Sequence, residues 1–498
     1  MAGIFPAPYN HSVQRPNPRP KRFRRLGLWA TSINWEMILS DKWLTRDKWF
    51  HIFAQQIVWG RVMQAYKSWR TYQKRLQKHQ ARKRLVRRSL WILIAMGVAF
   101  LMVWSGKVGM FPQLWQGPSP ATRECQGKVP PSCTIGREEL KKVFDPKALL
   151  AANGREVPFN YDGGEFTAEL TLDGGFQRYM SERIARARSL MVGFVAVEPE
   201  TGHVLSMVEA NNLDGTRGIC LSSRFPAASV FKIIAAAAAI DGRGISSDTK
   251  LSYNGRSHTL YKNQLTRKTN RYTTRVTLKD CFAKSINPAF GKLGIFELKK
   301  DLLISYAQRF GFNETIDFEL PVEESRISVR DDDYHWAEIA CGFNRETAIS
   351  PLHAALLAAT IVNDGKLVTP SIINFVVDGQ QNPVYAGGRR VVRQVISADA
   401  CKEMKELMRA TVSYGTGRRA FRGHRRDRVL SKLDIGGKTG SIKNDTDRLF
   451  YDWFVGFSEQ KRGDKKLALA VLVVHGKLLR ARAQEYARLA FRYYFDQT

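Results

Sequence analysis

Residues 90–106 read LWILIAMGVAFLMVWSG, without one charged side chain, directly after the basic cluster RKRLVRR at 82–88. No other feature narrows the possibilities as much. At about 1.5 Å per residue, a helix of this run reaches about 25 Å, near the lower limit for a hydrocarbon core of about 30 Å. Trp91 and Trp104 stand near its two ends, where amphipathic rings prefer the interface. The run lies too deep in the chain for a cleaved leader and lacks a small-residue cleavage site. A buried helix in a soluble protein is the competing reading, and the basic flank disfavours it. A single transmembrane signal anchor over 89–106 is expected. The positive-inside rule then places residues 1–88 in the cytoplasm and everything after Lys107 outside.

The charge is distributed accordingly. Of 78 Lys+Arg and 46 Asp+Glu, residues 1–88 hold 20 bases and only three acids, Glu36, Asp41 and Asp47. Residues 1–25 are rich in Pro and Arg and are expected to be unstructured. Residues 41–88 are expected to form a basic amphipathic helix carrying Trp49, Phe53, Trp59, Met63, Tyr66 and Trp69. Such a helix suits anionic lipid headgroups, a partner helix or a plain stalk. No nucleic-acid recognition motif accompanies the charge, so no specific nucleic-acid partner is expected. An apolar fraction of 44% excludes wholesale disorder. The nine histidines never fall at metal-ligand spacing, and neither a metal nor a cofactor is expected. The six cysteines all lie beyond the apolar run; Cys125 and Cys133 bracket a loop short enough to bridge locally. For Cys220, Cys281, Cys341 and Cys401, pairing and buried free thiols both stay open.

Residues 107–165 contain Pro112, Pro118, Pro120, Pro130 and Pro131 and are expected to be a juxtamembrane linker. From 166 to 498 the pattern is that of an α/β domain. Residues 191–210 read as two apolar strands around Glu200-Thr201-Gly202, and 231–240 as an alanine-rich buried helix. Residues 433–442, 450–457 and 467–474 read as three more strands, and 481–494 as a final amphipathic helix. Strands at both ends with helices between them predict one sheet that pairs the domain's termini.

Three short motifs carry chemistry. Ser229 and Lys232 are three residues apart, so a helix places both on one face, with an apolar run behind them. Apolar surroundings penalise the ammonium and leave a neutral amine able to act as a base. Ser247…Lys250 and Ser458…Lys461 share the spacing but lie in polar stretches. Ser285 and Asn287 form the second motif, between two helical segments; Ser252 with Asn254 is its rival, and Ser32 with Asn34 falls on the cytoplasmic side. Lys438, Thr439, Gly440 and Ser441 form the third, at the end of a predicted strand, where hydroxyls and a lysine can hold a carboxylate and glycine admits a ligand to the backbone. A Walker loop is excluded, because Lys432 stands where its first glycine belongs, and no G-x-S-x-G elbow exists.

The ordered set S-x-x-K, S-x-N, K-T-G resembles the penicillin-binding protein transpeptidase family, an association known also from class A β-lactamases. The resemblance extends to residues 169–177 (ELTLDGGFQ), 284–294 (KSINPAFGKLG), 350–365 (SPLHAALLAATIVNDG), Gly415-Thr416-Gly417 and 452–457 (DWFVGF). It implies a central antiparallel sheet flanked by helices, with an all-helical subdomain. It implies that Ser229 attacks the carbonyl between two D-alanines of a peptidoglycan stem peptide, with Lys232 as base and Ser285 as proton relay. Asn287 would hold the substrate amide, and Lys438, Thr439 and Ser441 its terminal carboxylate. A second stem's amine would resolve the acyl-enzyme, and β-lactams would trap Ser229. Other cell-wall or division proteins are conceivable partners, and the bacterial inner membrane with a periplasmic catalytic domain is the implied location. The chain departs from the family at Cys341-Gly342-Phe343-Asn344, where members often carry Gly-Gln-Gly. Two alternatives stay open: a D,D-carboxypeptidase or β-lactamase of the same fold, and a non-catalytic scaffold or β-lactam sensor. FPAASVFKI resembles class D β-lactamases, but Asn287 stands where those usually carry valine.

Overall fold

The computed structural model of the chain describes residues 135–151, 155–215, 218–444 and 448–497. The basic segment 1–88, the apolar run 89–106, the 107–134 part of the expected linker, and Cys125 with Cys133 lie outside them. Among the described residues no helix is long and apolar enough to cross a membrane.

Helix α1 (Gly174–Ala185) precedes strands β1 (Met191–Val197) and β2 (Val204–Asn211). Helix α2 (Lys232–Arg243) follows a 3₁₀ turn at Ala228–Phe231, and α3 (Asn287–Leu293), α4 (Pro351–Val362) and α5 (Ala398–Ser413) come next. Strands β3 (Leu433–Asn444), β4 (Leu449–Gln460) and β5 (Lys466–His475) and helix α6 (Ala483–Asp496) close the chain. The five strands make one antiparallel sheet in the order β3-β4-β5-β1-β2. The domain's two ends are joined where β5 pairs with β1, from Ala468↔Val197 to Val474↔Met191.

β1 is buried along its whole length because both faces of the sheet are covered. The strand period of two sorts its neighbours: Leu467, Leu469, Val471 and Val473 pack with α1 and α6, while Ala468, Ala470, Leu472 and Val474 join the core that contains α2 and α4. α4 is buried all round, so it has no polar face to lose; Ser350 caps it by accepting from the His353 N–H (3.2 Å), and Pro351 opens it. The segment between the 3₁₀ turn and α4 carries several helices but is not the all-helical subdomain that the resemblance implied: less than half of it is helical, and Lys250–Tyr253 and Thr274–Thr277 pair as a ribbon.

The linker expected over 107–165 is corrected for its described part. Arg137–Val143 and Pro146–Ala151 are helices, and Leu140, Phe144 and Leu149 enter the main core. Glu156–Tyr161 and Gly164–Leu170 form a hairpin that joins Ile373–Asp378 and Pro383–Ala386 in a second antiparallel sheet. The turn, Asp162-Gly163, has both residues at positive φ (48° and 77°), the conformation that two-residue hairpins demand. The prolines that suggested a linker all lie before residue 132; the alternating residues after them are folded.

β4 also carries a buried charge. Asp452, 3% exposed, accepts two 2.7 Å hydrogen bonds from Arg482 and one from the Ala483 N–H (2.9 Å), which fixes the start of α6. Burial pushes the Asp452 carboxyl up, and the hydrogen bonds and charge of Arg482, with His475 and the Ala483 N–H, together more than reverse this, leaving it below the ordinary 3.8. Arg482→Ala should therefore lower the unfolding free energy by about 2–4 kcal/mol in urea titration, since it strands a buried carboxylate beside a partly solvated partner. The depressed carboxyl adds stability above its ordinary range. That contribution should disappear as pH falls through its folded value, and Asp452→Asn should remove this part of the acid dependence.

Candidate active site

Two turns with unusual backbone bring the first two motifs together. Ala228, next to Ser229, has φ 48°, and Ser285 has φ 53°. Such left-handed positions on non-glycine residues cost on the order of 1–3 kcal/mol each and persist only where the surroundings enforce them. Here Trp453 in β4 donates to the Pro226 carbonyl (2.9 Å), and Gly342, itself at φ 67°, backs the turn. A Cβ on Gly342 would lie 1.9 Å from the Ala228 carbonyl oxygen and 2.9 Å from the Ser229 nitrogen. Gly342→Ala should thus cost about 2–4 kcal/mol of stability and push Ser229 out of place. A lowered thermal midpoint, together with a rate of Ser229 modification by a serine-directed acylating reagent reduced at least tenfold, would register both effects.

Lys232 begins α2 with its amine fully buried. Its Nζ donates to Ser229 Oγ (2.9 Å), to Asn287 Oδ1 (2.9 Å) and to the Cys341 carbonyl. Burial pulls its pKa from 10.5 down to about 8. The neighbouring Cys281 and Cys341 thiols are pushed up by burial to about 12 and about 11, so at neutral pH they offer no anion to hold the ammonium. A neutral amine has two N–H groups and one lone pair. Asn287 Oδ1 and the Cys341 carbonyl can only accept, so the lone pair is left facing Ser229 Oγ. Asn287 is fixed in that orientation because its Nδ2 donates to the His258 carbonyl (3.2 Å).

A second amine approaches from the other side. Lys438 Nζ donates to Ser285 Oγ (3.0 Å), which donates to Ser229 Oγ (3.1 Å). Lys438 is fully buried, and desolvation, reinforced by the nearby Lys232, holds its pKa well below 10.5. The two amines repel one another, so they titrate as a coupled pair. Side chains alternate along β3. Thr439 and Ser441 face the cleft, while Lys438 is turned beneath it, with a second hydrogen bond to the Thr439 carbonyl (2.7 Å). Of the three residues expected to hold a carboxylate, Thr439 and Ser441 line the cleft, while the buried Lys438 reaches Ser285. β3 also continues past the motif to Asn444 rather than ending there. It is the edge strand, so part of its backbone is free to pair with a peptide. Gly440 lets the Ser229 turn lie against that edge; a Cβ there would meet Val230 at 3.1 Å.

The cleft has a volume of about 820 Å³ and is lined by Ser229, Ser285, Asn287, Thr439 and Ser441, among others. All eight residues expected from the motifs converge here. Their rivals do not: Ser252 accepts from Lys292 (3.1 Å) in a separate cavity, and Ser458 is buried in β4. Four contributors escaped the sequence reading as site residues. Thr416, hydrogen-bonded to Thr439, and Arg419 and Arg345 line the cleft, and the Cys341 carbonyl holds Lys232. The Gly415-Thr416-Gly417 triplet signals the first; a backbone carbonyl has no signature. Cys220, Cys281, Cys341 and Cys401 are buried free thiols.

A family model described as penicillin binding protein transpeptidase domain matches residues 192–493. The chain is similar to the peptidoglycan D,D-transpeptidase PbpA of Mycolicibacterium smegmatis, at 27% identity over 57% of this chain and 61% of that protein. It is also similar to the stage V sporulation protein D of Bacillus subtilis, at 26% identity over 63% of this chain and 51% of that protein. The match thus spans between half and three-fifths of these relatives' length. Among solved structures, an imipenem acyl-enzyme complex of penicillin-binding protein A from M. tuberculosis aligns with TM-score 0.54 at 23% identity, covering 65% of this chain and 78% of that one. The D,D-transpeptidase domain of a peptidoglycan glycosyltransferase from Eggerthella lenta aligns equally well, with TM-score 0.54 at 22% identity over 66% of this chain and 83% of that one. At these identities the structural likeness concerns the fold.

Proposed function

The chain belongs to the penicillin-binding protein transpeptidase family, and on that premise we propose that it is a serine D,D-transpeptidase that cross-links peptidoglycan stem peptides. One observation carries this reading. A hydroxyl, Ser229, stands within hydrogen-bond reach of a depressed-pKa lysine and of a second serine that leads to another buried lysine. Ser229 Oγ attacks the carbonyl carbon between the last two D-alanines while Lys232 takes its proton. The oxyanion accepts from the backbone N–H groups of Ser229 and Ser441. Collapse breaks the C–N bond, and Ser285, fed by Lys438, delivers a proton to the leaving amine. The terminal carboxylate meets the hydroxyls of Thr439, Ser441 and Thr416. Asn287 keeps the Lys232 lone pair on Ser229 and offers its amide to the substrate. A second stem's amine then attacks the ester and restores Ser229. A β-lactam would be opened by the same attack.

The catalytic domain, in this reading, begins by residue 135 and lies outside the cell membrane. The apolar run 89–106 anchors it, and the basic segment 1–88 stays in the cytoplasm. The support is the run's length and its basic flank. The activity is tested by supplying a stem pentapeptide together with an acceptor amine. Cross-linked product with release of D-alanine is expected. Hydrolysis without cross-linking would make the enzyme a carboxypeptidase, and rapid turnover of a chromogenic β-lactam would make it a β-lactamase.

A further inference from the structure

We propose that the loop joining α5 to β3 is a docking surface for an anionic polymer: the carboxylate-bearing glycan–peptide strand whose stem enters the cleft. This rests on the transpeptidase reading above. Residues 418–428 read RRAFRGHRRDR, with six arginines and one acid. All six arginines are exposed. Arg428 pairs with Asp496 (2.6 Å), and the acid, Asp427, is engaged by Arg492 (3.6 Å). Among the described residues, Arg418, Arg419, Arg422, Arg425 and Arg426 have no carboxylate partner.

The loop is nonetheless a built structure. Phe421 is fully buried against Phe454 and Phe491, with ring centroids 5.6 Å and 6.4 Å away. Arg488 of α6 donates to the Ala420 and Arg422 carbonyls (2.8 Å each), and the Asp427 carboxylate accepts from the Val429 and Leu430 N–H groups (3.0 and 3.2 Å). Five exposed arginines without a carboxylate partner among the described residues are therefore carried on one ordered loop. A planar guanidinium fork matches a carboxylate bidentately, and a row of them suits a ligand that repeats its carboxylate.

The loop reaches the cleft through Arg419. Arg419 lines it, beside Thr416; Arg345 and Lys443 line it too, with the Asp452-paired Arg482, and among the described residues no Asp or Glu does. A strand lying on the loop would meet positive charge along its path to Ser229. A flat anionic bilayer fits less well, since one seated on Arg419 would cover the cleft mouth.

The test compares the full chain with an R418Q/R422Q/R425Q/R426Q variant, which spares Arg419. The probes are un-cross-linked glycan–peptide strands with free carboxylates, the same strands with those groups converted to amides, and vesicles of equal phosphatidylglycerol and phosphatidylcholine. The variant should bind free-carboxylate strands at least tenfold more weakly at about 50 mM salt, a gap that closes at about 500 mM as screening shortens the field. Its acylation by fluorescent penicillin should stay within twofold of the parent, and replacing the same four residues by lysine should restore most of the binding. Equal strand binding by parent and variant, or amidated strands bound as tightly as free ones, would overturn the proposal. So would a loss of vesicle binding with strand binding intact. A parent chain that binds strands yet is never acylated would instead sink the transpeptidase reading.

Discussion

Ser229→Ala is expected to reduce acylation by a fluorescent penicillin by about 10⁴-fold or more, the scale on which removing an activated serine nucleophile acts. The loss should be larger than that from any other substitution in the cleft, because no other group can form the ester. Ser285 Oγ lies only 3.1 Å away, but its hydrogen bonds tie it to Lys438 and it reaches the reaction through Ser229. Ser285→Ala should therefore slow acylation, by about 10²-fold, while leaving the label on the same residue. An unchanged thermal transition in both variants separates lost chemistry from lost folding.

Lys232→Met should lower acylation by about 10³-fold, within the range of general-base contributions. Lys232→Arg should do no better. A guanidinium keeps the charge but cannot be neutral at working pH, so it cannot accept the Ser229 proton. If Lys232 merely supplied positive charge, the arginine variant would keep most of the rate. The pH profile makes the same point in the parent enzyme. The neutral amine is the active form and burial places its pKa at about 8, so the rate should rise with pH through that value and level off above it. The apparent value belongs to the coupled pair with Lys438, and the rising limb should vanish from the residual rate of Lys232→Met.

The sheet was legible because its strands are unusually plain. β1 and β5 are continuous apolar runs, since both faces of the sheet are covered, and burial on both sides leaves no polar alternation to misread. Spacing related Ser229 to Lys232 and Ser285 to Asn287, the family resemblance implied that the two pairs share one site, and the fold places them so. Orientation was the harder part. Neighbouring residues in a strand point to opposite faces, and K-T-G does not say which face is the cleft, so the sequence did not separate Lys438, turned beneath the cleft, from Thr439 and Ser441, which line it. The contact between the Cys341 carbonyl and Lys232 was invisible because any residue type has a carbonyl; only Gly342 marks the place, by tolerating the close approach of Ala228. The hairpin at 156–170 carried a sound signal in Asp162-Gly163, which the prolines upstream obscured.

The central claim is that Ser229 is the group that becomes acylated. Its most direct test is to digest penicillin-treated protein and locate the adduct by mass spectrometry. The account predicts one penicilloyl group, on the peptide that contains Ser229 and on that residue. An adduct on Ser285 or Ser252, or no adduct at all on protein with a native thermal transition, would contradict it.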